Sequence, residues 1–186
     1  HITESLASGV LQVIANITKA ISKECEVHVI YSKRPETPPV EELEKIFGPE
    51  VFLHYIEATR EINPKKDFRT AIHYYKAIKQ IQPDVIHLHS SKAGVLGRIV
   101  SVFVKNKKTK VFYSPHGFSF LMQDMSHIKR KLFLGIERIM TLLPGEGIAV
   151  SPTEAYYARK LNKSYNVHLI NNGINLNEIK NLKQSQ

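Results

Sequence analysis

Three short polar stretches of this chain hold side chains suited to gripping an anion or moving a proton: Ser8-Gly9, Ser90-Ser91-Lys92 and His116-Gly117-Phe118. Hydroxyls, an ammonium and free backbone N–H groups at a helix start are what a phosphate or a sugar diphosphate needs. His116 titrates near neutrality, so it can donate a hydrogen bond, orient a hydroxyl or shuttle a proton, and Gly117 beside it lets the backbone come close to a ligand. Each has a plainer reading that stays open at this level. Ser91 also suits a helix cap, and a histidine at a strand end also serves as a structural donor.

Other candidate chemistry is weaker. His87 and His89 lie two apart on an apolar run and share a face, but the sequence shows no third ligand, so they read as packed, hydrogen-bonded histidines and no metal site is expected. The single cysteine, Cys25, has no histidine partner and excludes an internal disulfide. Neither a G-x-S-x-G elbow nor a P-loop occurs, and Ala7-Ser8-Gly9 supplies one glycine where a dinucleotide fingerprint needs three. The apolar run Phe118, Phe120, Leu121, Met122 reads as core packing or as a lip for a lipid-linked ligand beside Lys129, Arg130 and Lys131.

These residues depend on elements that hold them at one edge. His1 to Glu4 reads as the tail of a first strand, and Val10, Val13, Ile14, Ile17 and Ile21 trace a helix to about Lys23. Strands are expected at 26–31, 51–56, 85–88, 110–114, 147–150 and 167–170. Helices are expected at 40–47, from a cap at Asp67 to Ile81, from Ala93 to Val104, from Ile128 to Leu143, and from the cap Ser151 with Pro152 at its first position. The alternation predicts an α/β fold, a doubly wound, Rossmann-like, mostly parallel sheet of about seven strands. In such sheets ligands bind outside the carboxyl ends of the strands, where all three polar stretches fall.

The 186 residues suit one domain. No apolar run is long enough to span a bilayer. A net charge of +9 favours phosphorylated ligands or an anionic membrane face, or is simply a solvated basic surface. Nucleic acid is not expected, because no helix-turn-helix, zinc finger or RNP-type pattern accompanies the charge.

The strings His1-Ile2-Thr3-Glu4-Ser5-Leu6-Ala7-Ser8-Gly9-Val10, Pro83 to Gly94 (PDVIHLHSSKAG), Ser114-Pro115-His116-Gly117-Phe118, Ile148-Ala149-Val150-Ser151 and Ile170-Asn171-Asn172-Gly173-Ile174-Asn175 stand in one order and register. Together they resemble the N-terminal domain of a bacterial family 4, GT-B-fold glycosyltransferase of the capsule or exopolysaccharide kind. The resemblance implies one half of a GT-B fold over 1–175, with 176–186 a linker or tail toward a C-terminal domain absent from this chain. It implies retaining, metal-independent transfer from a nucleotide sugar to a lipid-linked or saccharide acceptor, with no further cofactor. Ser8 and Gly9 would approach the donor's phosphates and the acceptor, and His116 would reach the transferring sugar. Ser90, Ser91, Lys92, Gly117 and Phe118 would face the acceptor. The implied setting is cytoplasmic, with peripheral contact to the anionic inner membrane face. Without its partner domain the chain is expected to be inactive and to leave an apolar patch exposed. Two alternatives stand beside it: a GT-B-like sugar-nucleotide 2-epimerase, whose cleft carboxylates and histidines are only scattered here, and a non-catalytic module binding a glycan or lipid phosphate.

Overall fold

The protein, seen in a computed structural model that describes residues 1–104 and 108–173, alternates strand and helix throughout. In chain order the elements are β1 (Ile2–Thr3), α1 (Ser8–Ile21), β2 (Val27–Tyr31), α2 (Val40–Phe47), β3 (Val51–Tyr55), α3 (Pro64–Ile81) and β4 (Val85–His89). There follow α4 (Ser91–Val104), β5 (Lys110–Ser114), a 3-10 turn (Ser119–Leu121), α5 (His127–Met140), β6 (Glu146–Ala149), α6 (Pro152–Leu161) and β7 (Val167–Leu169). The strands form one sheet in the order β3-β2-β1-β4-β5-β6-β7, with every pairing parallel. The expected doubly wound sheet of seven strands is therefore present. Its strand order reverses between β1 and β4, which is the switch point where such sheets open a crevice.

Side-chain alternation along the strands feeds two cores on opposite faces. Val27, Val29 and Tyr31 of β2 and Val51 of β3 pack with Leu6, Ile14, Leu43 and Phe47 under α1 and α2. Ile30, Ile86, Leu88, Val111 and Tyr113 pack on the other face with Tyr74 and Ile78 of α3, Val100 of α4 and Ala158 of α6. Helix α4 sits close to the sheet because of its glycines. A Cβ on Gly94 would lie 2.3 Å from the Tyr113 ring, and one on Gly97 2.3 Å from Leu88.

The structure departs from the sequence reading in places. Helix α3 starts before Asp67: Asn63 is its cap, accepting from Lys66 N at 3.1 Å, while Asp67 reaches back to Asn63 N at 3.0 Å. Proline at the first position tolerates the missing N–H and fixes that earlier start. Helix α1 begins at Ser8, so Gly9 lies in its first turn and not in a preceding loop. The loop after Gly117 contains a turn of 3-10 helix. Ile174, Asn175 and the expected tail at 176–186 lie outside the described residues. No helix among the described residues is long and apolar enough to cross a membrane.

Candidate functional site

Thr3 of β1 pairs with His89 of β4, and His89 pairs with Ser114 of β5, so the three parallel strands end level with one another. The segments that follow them emerge along one edge at the switch point. Ser8, Ser90 and His116 each take a left-handed backbone, with φ of 48°, 68° and 51°. Among the described residues one other non-glycine, Gln82 at the end of α3, does so. Each such residue costs about 1–3 kcal/mol and persists only where its surroundings impose it. The segments after three adjacent strands thus each hold one strained residue.

Those surroundings are visible. Ser90 N donates to Ser114 O at 2.9 Å, and the hydroxyls of Ser91 and Ser119 meet at 3.0 Å. Buried Glu154 clamps the next loop, its carboxylate accepting from Gly117 N and from Val150 N, both at 2.7 Å. Buried Glu4 ties the β1 end to Arg34 at 3.3 Å. Burial raises the Glu4 carboxyl above the usual range, with Arg34 and a backbone bond from Ala93 opposing that shift in part.

Histidines gather behind the rim. His116 Nε2 meets His89 Nδ1 at 2.9 Å, with the rings stacked, and His89 Nε2 meets His1 Nδ1 at 3.0 Å. His87 Nε2 meets the Ser114 hydroxyl at 2.9 Å. Burial pushes the His116 imidazole down to about 4, that of His87 to about 3, and that of His89 well below its ordinary value. At neutral pH these rings are uncharged. His116 is therefore a neutral hydrogen-bonding group whose Nε2 is committed to His89.

The predicted residues separate into two sets. Ser8 and Gly9 are exposed, and nothing lies within 4 Å of the place where a Gly9 Cβ would sit, so a ligand can approach the start of α1 closely. Ser90, Ser91, His116 and Gly117 share the rim described above. Lys92 instead sends its ammonium to Asp67 of α3 at 2.6 Å and to the Glu61 carbonyl, which neutralises its charge within the fold. Phe118 is buried in the core and stacks on Phe120, while Leu121 and Met122 stay exposed.

Glu154, Glu4 and His1 went unread in the sequence. Glu154 had a signal, since Ser151-x-x-Glu154 is a capping-box pattern, but its carboxylate bridges two loops and does not turn back to its own cap. Glu4 offered none. His1, His87 and His89 each present one ligand nitrogen, all within 4.8 Å of one another. The third ligand that the sequence did not show is supplied by β1 lying beside β4.

Comparison with known proteins agrees with this architecture. Sucrose-phosphate synthase from Thermosynechococcus elongatus superposes with a TM-score of 0.65 at 19% identity, over 94% of this chain and 45% of that one. A putative UDP-N-acetylglucosamine 2-epimerase from Listeria monocytogenes superposes with a TM-score of 0.55 at 10% identity, over 86% and 41%. At such identities the likeness is one of fold. An uncharacterized 41.2 kDa protein in the cps region of Klebsiella pneumoniae is 36% identical over 142 residues, covering 75% of this chain and 36% of that protein. The UDP-Gal:alpha-D-GlcNAc-diphosphoundecaprenol alpha-1,3-galactosyltransferase of Escherichia coli is 39% identical over 70 residues, covering 38% and 18%. The chain thus spans about a third of the length of the first curated relative and under a fifth of the second. The model of Glycosyltransferase Family 4 matches residues 7–178, and the chain belongs to that family.

Proposed function

We propose that this chain is the acceptor-side half of a glycosyltransferase that moves a sugar from a nucleotide-sugar donor to a polyprenyl-diphosphate-linked acceptor in capsule-type polysaccharide synthesis. The observation that carries the reading is the strained trio Ser8, Ser90 and His116 at the ends of three neighbouring strands, at the switch point of a family 4 fold. The diphosphoundecaprenol substrate in the name of the Escherichia coli relative supports the acceptor class.

In this reading the open start of α1, at Ser8 and Gly9, meets the donor phosphates and the diphosphate end of the acceptor. Ser90, Ser91 and Gly117 line the acceptor side, and neutral His116 holds a sugar hydroxyl through Nδ1. Lys92 and Phe118 act from behind, one pinning α3 to α4 and the other anchoring the loop in the core. Transfer is retaining and uses no metal at the donor diphosphate. Stabilising charge on that diphosphate needs the opposing wall of a second α/β domain, so these 186 residues alone give negligible turnover.

The exposed side of α5 suits the cytoplasmic face of an anionic membrane. Ile128, Leu132 and Ile139 are 83%, 53% and 59% exposed on one stripe, flanked by exposed Lys129, Lys131 and Arg138. Co-sedimentation with vesicles should rise with anionic lipid content and fall for Ile128→Ser/Leu132→Ser.

The main test is calorimetric titration of the chain with a short-chain polyprenyl-diphosphate N-acetylhexosamine. Wild type should bind, and Ser91→Ala and His116→Ala should each weaken binding about 2- to 10-fold, the worth of one hydrogen bond. No binding by wild type, or equal binding by both variants, would overturn the proposal.

A further inference from the structure

We propose that His1, His87 and His89 form a three-imidazole site for a divalent transition cation of the zinc class, set behind the sugar-binding rim. Their ligand nitrogens lie within 4.8 Å of one another, and the closest pair, His1 Nδ1 and His89 Nε2, is 3.0 Å apart. The fold brings them together by register, since Ile2 pairs with Leu88 and so places His1 beside His87 across neighbouring strands. A tetrahedral ion with bonds of about 2.0–2.1 Å needs nitrogens about 3.3 Å apart, so the closest pair has to part by a few tenths of an ångström and the widest to draw in by up to about 1.5 Å.

The donor set narrows the ion. All three donors are imidazoles, a set that suits Zn²⁺, Co²⁺, Ni²⁺ or Cu²⁺ and not Mg²⁺ or Ca²⁺, which take oxygen ligands. Outer contacts are in place as well. Ser114 Oγ holds His87 Nε2 and His116 Nε2 holds His89 Nδ1, the kind of second contact that fixes metal-ligating histidines.

Occupancy would also set the rim. With His89 Nε2 bound to the ion, its proton must sit on Nδ1, from which it is donated to His116 Nε2. The His116 proton then sits on Nδ1, turned to any ligand as a donor. Without the ion, the line from His1 through His89 to His116 can run in either direction, and His116 Nδ1 can accept instead.

The test needs no glycosyltransferase activity, so it stands or falls apart from the function proposed above. Metal-free chain without an affinity tag is titrated with Co²⁺, followed by the visible d–d absorption of a tetrahedral site, and with Zn²⁺ by calorimetry. Wild type should take up one ion per chain, and His87→Ala should weaken that uptake at least 10-fold. His87→Gln provides the same comparison should the alanine variant not fold, with circular dichroism reporting folding for each. Absence of stoichiometric uptake by wild type would overturn the site. So would uptake unchanged in folded His87→Ala or His87→Gln protein, which would place the ion elsewhere, for example at His28 and His54, whose rings also meet, at 2.8 Å.

Discussion

Replacing Glu154 by glutamine probes how the rim is held from behind. The carboxylate is 5% exposed and accepts two backbone N–H bonds at 2.7 Å, from Gly117 in the loop after β5 and from Val150 after β6. Hydrogen bonds to a charged acceptor contribute about 1.5–3 kcal/mol each. Glutamine keeps one acceptor oxygen and turns its NH₂ toward the other N–H, so one bond is lost and a backbone donor is left unpaired. The expected loss is about 2–3 kcal/mol, or about 4–12 °C in Tm for a chain of this length. Urea denaturation gives the free energy, and amide hydrogen exchange at Gly117 and Val150 shows where it was lost. A Glu154→Gln protein within about 0.5 kcal/mol of wild type, with both amides still protected, would refute the clamp.

Other perturbations address the frame. Gly94→Ala and Gly97→Ala should each destabilise by about 1–3 kcal/mol in thermal melts, although alanine is the better helix former, because the new methyl meets Tyr113 or Leu88 at 2.3 Å. Arg98 and Glu137 are buried together, 3.1 Å apart, with the Tyr113 hydroxyl donating to Glu137 at 2.8 Å. Arg98→Met alone should cost about 3–5 kcal/mol in urea, and Arg98→Met/Glu137→Leu distinctly less, since the pair and not either charge alone suits the interior. Burial raises the Glu4 carboxyl, so the folded chain holds that proton more tightly than the unfolded one. Its contribution is therefore fully present below the unfolded value of about 4.3 and declines as pH rises toward the folded value. The stability of wild type minus that of Glu4→Gln, from urea melts at pH 4.5, 5.5 and 6.5, should decrease with pH; an increase would contradict the assignment.

What the sequence made legible is what depends on near neighbours along the chain. Period-2 runs such as Val27–Tyr31 and period-3.6 runs such as Ile128–Ile136 fix element type, and their alternation fixes the parallel sheet. Ser90, His116 and Gly117 could be placed at strand ends on that basis. The remainder depends on pairings that no local pattern carries. His1 and His89 stand 88 positions apart and meet because β1 inserts between β2 and β4. Lys92 looked available in the sequence, yet its partner Asp67 lies 25 positions upstream on α3. Phe118 suits either the core or an apolar lip in the sequence, and the structure puts it in the core. In the sequence Asp67 suits a helix cap and Pro64 a loop, whereas Pro64 is the first residue of α3 and Asn63 its cap.

The measurement that bears most directly on the shared rim is a backbone amide chemical-shift titration of the isotope-labelled chain with the short-chain polyprenyl-diphosphate sugar. The largest shifts should fall together on Ser8, Gly9, Ser90, Ser91, His116 and Gly117, the ends of β1, β4 and β5. Shifts confined to the opposite edge of the sheet, around Cys25, Asp84 and Gly145, would contradict a binding edge at the switch point.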